Sequence, residues 1–545
     1  MQKIPKVNTA GLTDAPPKGR AAAIILACWL LLPTIAGLWA GRNGPEAASS
    51  AVGVTMLAIG VLAVPLVLLG SARHLFLFWL PVGLLAPLQL YLIYFFGSVP
   101  GDAVTASALH LSVAETIELV GGFGSLALVL PLSWAAYLLL WRRIDPSLRL
   151  SANARKALAA GLLSYAMVGM HAEQTLSHYI AVPALFNEAI ASATYPAGAA
   201  LSLARVLKSQ NAATQPMVVL HAAAPATPQV VILVIGESVR PDHLGINGYA
   251  RDTTPELAKI GPALMSFSDV ASTTNYTAGA VPNLVLRAAA DGSASLVSVF
   301  REAGFRTAWF SNQQSDIFTP QADLSDFSDT EWHQGIRQDV DLLPLLESCL
   351  KQCGERQLIV LHMYGSHFPY DARYLRRDQV FAPIFRDAGF ATARPQLKRE
   401  LINSYDNTLL AGDRFLAGVI ARAKSSAKPA VVLFTSDHGE NLYDDERQLF
   451  MHIGPHPSRA DSMVPMLFWA NDAYAAGHAG KLAAIRNQLH APVNHLAVMP
   501  TLLDLAGIAY DGKDPAQSLA SGRFHPLRRT VAATDGRPIA VDSLR

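Results

Sequence analysis

Five long apolar segments occupy the first third of this chain, at about residues 21–41, 51–70, 75–96, 120–141 and 157–173. An α-helix needs roughly 20 apolar residues to cross a bilayer core of about 30 Å. The first four segments reach that length, and the fifth is shorter. The pattern predicts an N-terminal transmembrane domain of five helices over residues 21–173, which follows a cytoplasmic tail of residues 1–20.

The overall composition agrees with membrane spans attached to a globular part. Of the 545 residues, 51% are hydrophobic and only 16% are charged, whereas a soluble protein usually carries about a quarter charged residues. The net charge is +1, which gives no basic surface for a nucleic acid, and none is expected as a partner.

The positions of lysine and arginine predict which side of the membrane each loop faces. Basic residues gather in the N-terminal tail and again in the loop after the fourth segment, at Arg142, Arg143, Arg149, Arg155 and Lys156. The loop of about 97–119 has none and carries Asp102, Glu115 and Glu118. With the N-terminus in the cytoplasm, five spans place the C-terminal half outside; only the short loop with Arg42 does not fit.

The second half has the pattern of an α/β domain. Short β-branched runs begin at Val230, Leu358 and Ala430, and amphipathic helical patterns separate them. Strands that alternate with helices predict a mostly parallel central sheet covered on both faces. We expect a linker with interfacial helices over 174–228, a catalytic domain over 229–520 and a C-terminal tail over 521–545.

Acid–base and metal-binding side chains follow these strands where each one ends. Glu237 follows the first run, His367 lies soon after the second, and Asp437 and His438 follow the third. In such sheets ligands bind beyond the carboxyl ends of the strands. A carboxylate or imidazole alone is more often a helix cap or a solvated side chain, but together these groups suit a divalent cation such as zinc.

The segment from Ser272 to Pro282 offers a hydroxyl nucleophile between the first two runs. A threonine hydroxyl is a poor nucleophile until a metal or a base removes its proton. The alternative is an ordinary loop rich in serine and threonine. His367 and His452 are candidates for acid–base work, with His456 ranked below them.

Two cysteines, Cys349 and Cys353, lie four residues apart. In an oxidising compartment they could form a disulfide. The alternative is a pair of free thiols in one helix, and the sequence leaves both open.

The ordered motifs resemble those of the lipopolysaccharide phosphoethanolamine transferases, which are membrane-anchored enzymes of the alkaline phosphatase and sulfatase superfamily. The matching segments are Gly236-Glu237-Ser238 with Asp242-His243 and Asn247-Gly248-Tyr249, Thr277 to Pro282, Gly365-Ser366-His367, Asn403 to Thr408, Ser436 to Asn441, and Met451-His452. The resemblance implies a C-terminal domain of the alkaline-phosphatase/sulfatase-like fold. It also implies a multi-pass protein of the bacterial inner membrane whose catalytic domain is periplasmic.

The resemblance further implies a zinc site and a lipid donor. Zinc, as one ion or two, would be held by Glu237, Thr277, Asp437 and His438. Phosphatidylethanolamine would be the donor, with Glu115 as the acidic residue that recognises it. Asn312 and His367 would contact substrate. Ser311 to Gln314 is similar to relatives that modify core heptose or periplasmic glucans, so the acceptor stays open among lipopolysaccharide core, lipid A and a glycan.

The resulting hypothesis is a transfer in two displacements. Zinc-bound Thr277 attacks the phosphorus of phosphatidylethanolamine, and diacylglycerol leaves after protonation by His367 or His452. An acceptor then attacks the phosphothreonine-type intermediate and frees the threonine.

Three other interpretations were weighed against this one. A sulfatase would need a Cys or Ser nucleophile in a motif with Pro and Arg, which the segment Thr277 to Val281 lacks. A glycerol-phosphate transferase that resembles lipoteichoic acid synthase would use phosphatidylglycerol instead. A membrane scaffold with a degenerate domain is the non-enzymatic alternative, and the intact set of Glu237, Thr277, Asp437 and His438 argues against it.

Overall fold

A computed structural model of the chain describes residues 19–40, 47–96, 101–109, 126–175, 193–213, 221–289, 292–313, 321–327, 338–386, 393–452, 454, 457–532 and 538–545. The chain forms two compact units. The first comprises Met1–Gly101 and Ser125–Ala204, and the second comprises Asp102–Gly124 and Arg205–Arg545. All of the predicted site residues that the structure describes therefore belong to the second unit.

The first unit is built from apolar helices. Those that the structure describes are Arg20–Ala40, Ala47–Leu69, Ala72–Phe78, Leu80–Phe96, Leu126–Arg142 and Ala152–Thr175, and a further helix, Ala197–Ala213, runs into the second unit. Many of their large side chains are exposed, as expected for helices that face lipid.

The predicted number of five spans is not confirmed. Within the described residues, two helices are long and apolar enough to cross a membrane, and a pair of helices bent by 57° makes a third if it counts as one span. The predicted fourth span falls on the apolar helix Leu126–Arg142, and residues 120–125 of that segment lie outside the described part. The fifth falls in Ala152–Thr175, whose first turn carries Arg155 and Lys156.

A glycine allows close packing inside this helical unit. Trp29 Nε1 donates to the backbone oxygen of Gly83 at 2.9 Å, and Pro87, four residues further on, has no N–H to satisfy that carbonyl within the helix. On Gly83 a Cβ would lie 2.2 Å from Cε2 of Tyr137. Small residues of this kind let membrane helices approach closely.

The strands all lie in the second unit. In chain order they are β1 (Ala222–Ala223), β2 (Gln229–Gly236), β3 (Met265–Phe267), β4 (Val270–Ala271), β5 (Leu286–Ala289), β6 (Gly292–Ser295), β7 (Arg306–Ser311), β8 (Leu324–Asp326), β9 (Arg356–His362), β10 (Ala430–Ser436), β11 (Asn441–Leu442), β12 (Phe450–Met451), β13 (Met466–Ala470), β14 (Val493–Asn494), β15 (Ala509–Tyr510), β16 (Thr530–Ala532) and β17 (Pro538–Ala540).

The central sheet is mixed, which corrects the prediction of a mostly parallel sheet. Its seven strands follow the order β3-β13-β10-β2-β9-β7-β8. Strands β10, β2, β9, β7 and β8 run parallel, but β13 is antiparallel to both of its neighbours. A parallel return needs a crossover, usually a long helix. Between β10 and β13 the only α-helix in the described residues is the four-residue helix Arg459–Ser462, and the chain returns antiparallel.

Helices cover both faces of this sheet, as expected. They are Pro255–Ala258, Thr277–Val285, Leu296–Glu302, Leu342–Gln352, Lys398–Lys424, Arg459–Ser462, Asp472–Gly477, Ala479–Asn487 and Val498–Leu505. Alternate residues of β2 point to the two cores. Val231 and Leu233 join the core with helices Leu296–Glu302 and Val498–Leu505, and Val230 joins the other core.

Two features lie outside these layers. A disulfide joins Cys349 and Cys353 at the end of helix Leu342–Gln352, so the structure adopts the first of the two alternatives. The segment set apart from the sequence as a C-terminal tail contributes β16 and β17. Ala532 N there donates to the backbone oxygen of Thr273 at 2.8 Å, four residues before Thr277.

Candidate metal centre

Two carboxylates lie side by side because their strands are neighbours. β2 and β10 pair in parallel with Gly236 opposite Ser436. The next residue on each strand is acidic, and the side chains of Glu237 and Asp437 are fully buried. The register of two central strands thus brings together carboxylates that are 200 positions apart in the sequence.

A strained turn holds Glu237 in place. Ser238 has a φ of 59°, which is unusual for a residue with a side chain. Its N–H donates to Asp437 Oδ1 at 3.2 Å, and its carbonyl accepts from the hydroxyl of Tyr405 at 2.7 Å. The same Tyr405 oxygen accepts from Arg240 N at 2.9 Å. Surrounding hydrogen bonds over-determine this conformation, as is usual where strain is kept at a functional site.

Thr277 lies within hydrogen-bonding distance of two of the predicted metal ligands. Its hydroxyl donates to Glu237 Oε2 at 3.0 Å and lies 3.2 Å from His438 Nε2. Thr277 is the first residue of its helix, where backbone N–H groups lack partners within the helix and favour an anion. The hydroxyl, a carboxylate and an imidazole therefore converge on one point.

The imidazole of His438 presents a free lone pair to this point. Its Nδ1 lies 2.9 Å from the Gly439 carbonyl, and only a protonated nitrogen can make that contact. Nε2 is then unprotonated in the neutral ring. It lies 3.4 Å from Glu237 Oε1 and 3.3 Å from Asp437 Oδ2.

The charges of this cluster fit a cation. Asp437 Oδ2 is buried and has no hydrogen-bond partner among the residues that the structure describes. Burial, and then the nearby charge of Asp437, raises the pKa of Glu237 well above its usual value. Two buried carboxylates are costly together unless a positive charge lies between them. Two carboxylates, one imidazole nitrogen and a hydroxyl oxygen form a donor set that suits zinc.

His452 lies closer to this cluster than an acid–base role alone would require. A ring nitrogen of His452, a ring nitrogen of His438 and a carboxylate oxygen of Glu237 lie within 4.8 Å of one another. The ring centroid of His452 is 4.1 Å from that of His438. His452 Nδ1 lies within hydrogen-bonding distance of Glu440 Oε2, at 3.2 Å. Burial, then the charges of His438 and His367, lowers the pKa of His452 well below its usual value, so the ring is neutral.

His367 lies further out, at the partly exposed edge of the cluster. Its ring centroid is 6.3 Å from that of His452, and the ring stacks on Tyr364 at 5.1 Å. Its Nδ1 lies 2.6 Å from the Phe368 carbonyl. Arg373 lies over the other side of Tyr364 and donates to the His367 carbonyl. His367 is therefore held in place but remains accessible.

Of the two remaining residues predicted to contact substrate, Asn312 and Glu115, the structure describes only Asn312. Asn312 is buried, and its Nδ2 donates to Asp339 Oδ1 at 2.7 Å. Asp339 also accepts from the backbone N–H groups of Tyr364 and Gly365, so this contact links Asn312 to the loop of His367. Glu115 lies outside the described residues.

Sequence reasoning missed Gln313. Its Nε2 donates to Glu237 Oε2 at 3.0 Å, the same oxygen that accepts from Thr277, and to the Met363 carbonyl at 3.2 Å. Gln313 lies next to Asn312 in a segment that the sequence analysis had singled out. The only available signal was that proximity, because an amide side chain carries no charge pattern that marks it.

Comparisons with known proteins show which proteins the chain is similar to. The chain is 28% identical over 357 residues to phosphoethanolamine transferase EptC of Escherichia coli O18:K1:H7 (strain RS218), covering 61% of the chain and 59% of EptC. The chain thus spans less than two thirds of that curated relative. The C-terminal periplasmic domain of EptC from Escherichia coli, solved in complex with zinc, superposes with a TM-score of 0.54 at 25% identity, covering 61% of the chain and 98% of the domain.

The structural likeness extends into the apolar half. The integral membrane protein lipooligosaccharide phosphoethanolamine transferase A of Neisseria meningitidis matches with a TM-score of 0.76 over 92% of the chain and 98% of its own length, and at 20% identity this shows a shared fold. The family model described as Sulfatase matches residues 229–508. The matched segment includes strands β2 to β13 and every described residue of the cluster. Because the match covers half of the chain, the chain belongs to the sulfatase family.

Proposed function

We propose that the chain transfers phosphoethanolamine from phosphatidylethanolamine to an acceptor of the bacterial envelope. The observation that carries the proposal is the position of the Thr277 hydroxyl, 3.0 Å from Glu237 Oε2 and 3.2 Å from His438 Nε2. A threonine at the start of a helix, beside buried carboxylates that need a cation, suits a phosphoryl-transfer nucleophile. The likeness to EptC gives the phosphoethanolamine group.

Glu237, Thr277, Asp437 and His438 would hold the cation, and zinc, as one ion or two, is the metal we propose. When bound, zinc would lower the pKa of the threonine hydroxyl and neutralise charge on the phosphoryl oxygens. The unpartnered Asp437 Oδ2 and the raised pKa of Glu237 support a cation at this point. The zinc complex of the EptC domain supports the choice of metal.

The side chains have separate tasks in the first displacement. Thr277 Oγ gives up its proton toward Glu237 Oε2, 3.0 Å away, and forms a bond to phosphorus. The bond from phosphorus to the diacylglycerol oxygen breaks, and that oxygen takes up a proton. Burial lowers the pKa of His452 well below its usual value, and its Nδ1 lies 3.2 Å from Glu440 Oε2. His367 is accessible, which favours it over His452 as the donor of that proton. A hydroxyl of the acceptor, including that of a phosphate group, then attacks phosphorus and passes its proton to His367. The bond from phosphorus to Thr277 Oγ breaks, and the proton held at Glu237 returns to Thr277.

The apolar half would keep this site beside lipid headgroups. We propose a multi-pass protein of the bacterial inner membrane with a cytoplasmic tail (1–20), a transmembrane domain (21–173), a linker (174–228) and a periplasmic catalytic domain that begins at residue 229. Five spans, the donor contact of Glu115 and the substrate contact of Asn312 stay part of this proposal. The acceptor would be lipopolysaccharide core, lipid A or a periplasmic glycan.

The test is formation of a covalent adduct in the purified full chain. Incubation with phosphatidylethanolamine vesicles should add the mass of one phosphoethanolamine to the peptide that contains Thr277. Thr277→Ala should abolish the adduct. Thr273→Ala is the matched control, because the buried Thr273 hydroxyl has no partner among the described residues, and it should keep the adduct. An adduct with phosphatidylglycerol instead, or one that persists in Thr277→Ala, would contradict the proposal.

A further inference from the structure

One buried carboxylate, Asp461, contacts two of the segments that carry the site, the loop before Thr277 and the segment after His438. It lies in the four-residue helix Arg459–Ser462, and its side chain is fully buried. Oδ1 accepts from Ser458 N at 2.8 Å and from Ser462 Oγ at 2.9 Å. Those two contacts close the turn in which Asp461 itself lies, as an acidic residue at the start of a helix often does.

The other carboxylate oxygen serves a different purpose. Oδ2 accepts from Asn275 Nδ2 at 2.9 Å and from Asn441 Nδ2 at 3.1 Å, and both asparagines are buried. Asn275 lies two residues before Thr277. The capping turn does not need these contacts. Oδ2 therefore connects Asp461 to Asn441 and Asn275, which lie 20 and 186 positions away in the sequence.

Asn441 extends the connection to His452. The same Nδ2 that donates to Asp461 also donates to the Met451 carbonyl at 2.6 Å, one residue before His452. Asn441 Oδ1 accepts from Ser458 Oγ at 2.6 Å. Both ends of this amide are therefore engaged, and the amide cannot rotate to accommodate a changed partner without losing a buried hydrogen bond.

The backbone of the same turn holds the metal-binding segment. Gly439 N donates to the Asp461 carbonyl at 2.9 Å, and Glu440 N donates to the Ala460 carbonyl at 3.0 Å. A Cβ on Gly439 would lie 2.2 Å from that Ala460 oxygen. The chain directly after His438 thus packs against the turn so closely that only glycine fits.

We propose that Asp461 is a positioning residue, whose carboxylate sets the distance between Thr277 and the Asp437–His438 pair. This inference rests on the proposed function, since it concerns the same site. Its physical basis is that Oδ2 joins the loop before the nucleophile to the segment after the ligands. A misplacement of about 1 Å between reacting groups can cost on the order of 100-fold in rate.

The substitution that isolates this role is Asp461→Asn. It keeps the shape of the side chain but replaces one acceptor oxygen by an amide, which faces the donors of Asn275 and Asn441. We expect the rate of Thr277 adduct formation in a single turnover to fall at least tenfold, with donor KM within twofold of wild type. Zinc content should stay the same.

Asp413→Asn is the matched control for a purely structural effect. Asp413 is also a buried aspartate in this unit, and it accepts from Glu256 N and Leu257 N at 2.8 Å each, away from the site. Its replacement should lower the melting temperature while the rate per folded molecule stays unchanged. If the two variants behave alike, Asp461 merely stabilises the fold, and the inference is wrong.

A measurement without substrate separates this inference from the proposed function. Co²⁺ bound in place of zinc has an absorption spectrum that depends on the arrangement of its ligands. We expect Asp461→Asn to shift that spectrum and Asp413→Asn to leave it as in wild type. If wild type forms no adduct, the proposed function fails, but the Co²⁺ spectra still decide the role of Asp461.

Two further variants cover the case in which Asp461→Asn does not fold. Asn275→Ala removes one donor and leaves three on Asp461, and it should reproduce the rate loss and the spectral shift in part. Adding Asn275→Asp to Asp461→Asn restores one donor–acceptor pair and should recover part of the rate. A wild-type rate and spectrum in Asn275→Ala would overturn the inference.

Discussion

Gln313 donates a 3.0 Å hydrogen bond to Oε2 of Glu237, the carboxylate oxygen that also accepts the Thr277 hydroxyl. Groups that hold a metal ligand from behind typically contribute 10–100-fold in metal affinity. We therefore expect Gln313→Met to weaken zinc binding by about 10–100-fold, as measured by competition with a chelator of known affinity.

Gln357→Met is the control for this substitution. Gln357 is buried near the start of β9, at the end of the strand away from the site. Its Nε2 donates to the carbonyls of Leu350 and Gly354. The Gln357→Met substitution should lower thermal stability and leave zinc affinity unchanged. Equal zinc affinity in wild type and Gln313→Met would show that the Glu237 carboxylate needs no such support.

Tyr405 gives a second prediction, because its hydroxyl bridges the Ser238 carbonyl and the Arg240 N–H. Tyr405→Phe leaves two buried backbone groups without their partner, which should cost about 2–4 kcal/mol of unfolding free energy. The variant should melt several degrees lower in a thermal scan, and zinc binding should weaken because the turn at Glu237 relaxes.

Tyr370→Phe tests whether this loss comes from the hydrogen bonds. The Tyr370 hydroxyl is equally buried, but it has no partner within the described part of the chain. Its removal should leave stability unchanged or raise it. A similar fall in both variants would mean that ring packing, and not the bridge to Ser238, accounts for the effect.

The sequence was sufficient to predict the metal-binding side chains at the carboxyl ends of the strands, but not the residues that hold those side chains in place. Glu237 and Asp437 each follow an apolar β-branched run, and parallel neighbouring strands bring such positions together. Gln313 and Asp461 follow no such rule. Their roles depend on single hydrogen bonds between segments far apart in the chain, and one sequence contains no periodicity that reports these.

The error in predicting the direction of the sheet strands has a similar physical origin. The antiparallel strand β13 is an apolar run like the parallel ones, and only the lack of a long crossover helix before it distinguishes its direction. In the first half, apolarity predicts helices well. The number of spans is not confirmed, because apolarity alone does not fix whether a helix such as Ala152–Thr175, with Arg155 and Lys156 near its start, crosses the membrane.

Two buried histidines predict a loss of stability in acid. Burial lowers the pKa of His362 and of His495 to about 4, whereas an unfolded histidine titrates near 6.5. Between these values the unfolded chain binds more protons. The free energy of unfolding is therefore undiminished above pH 6.5 and falls toward pH 4, by up to ~3 kcal/mol per histidine.

Thermal unfolding of the full chain from pH 7.5 down to pH 4.5 measures this effect. His495→Gln can keep a donor near the Ser436 carbonyl, which lies 2.9 Å from His495 Nε2, and it should flatten the decline. His525→Gln, at an exposed position, should leave the curve as in wild type. A wild-type curve for His495→Gln would mean that other groups dominate the acid response.

Gly83 provides the last prediction, which concerns the apolar unit. Tyr137 is fully buried and donates its hydroxyl to the Phe76 carbonyl at 2.9 Å, so its ring cannot move freely away from the helix of Gly83. Gly83→Ala would place a methyl group 2.2 Å from that ring. Overpacking of this kind typically costs about 1–3 kcal/mol, and the variant should melt earlier in detergent. Gly161→Ala, which meets nothing within 4 Å, should not. If the clash is the cause, Tyr137→Ala should be less harmful in the Gly83→Ala background than in wild type, whereas additive effects would exclude it.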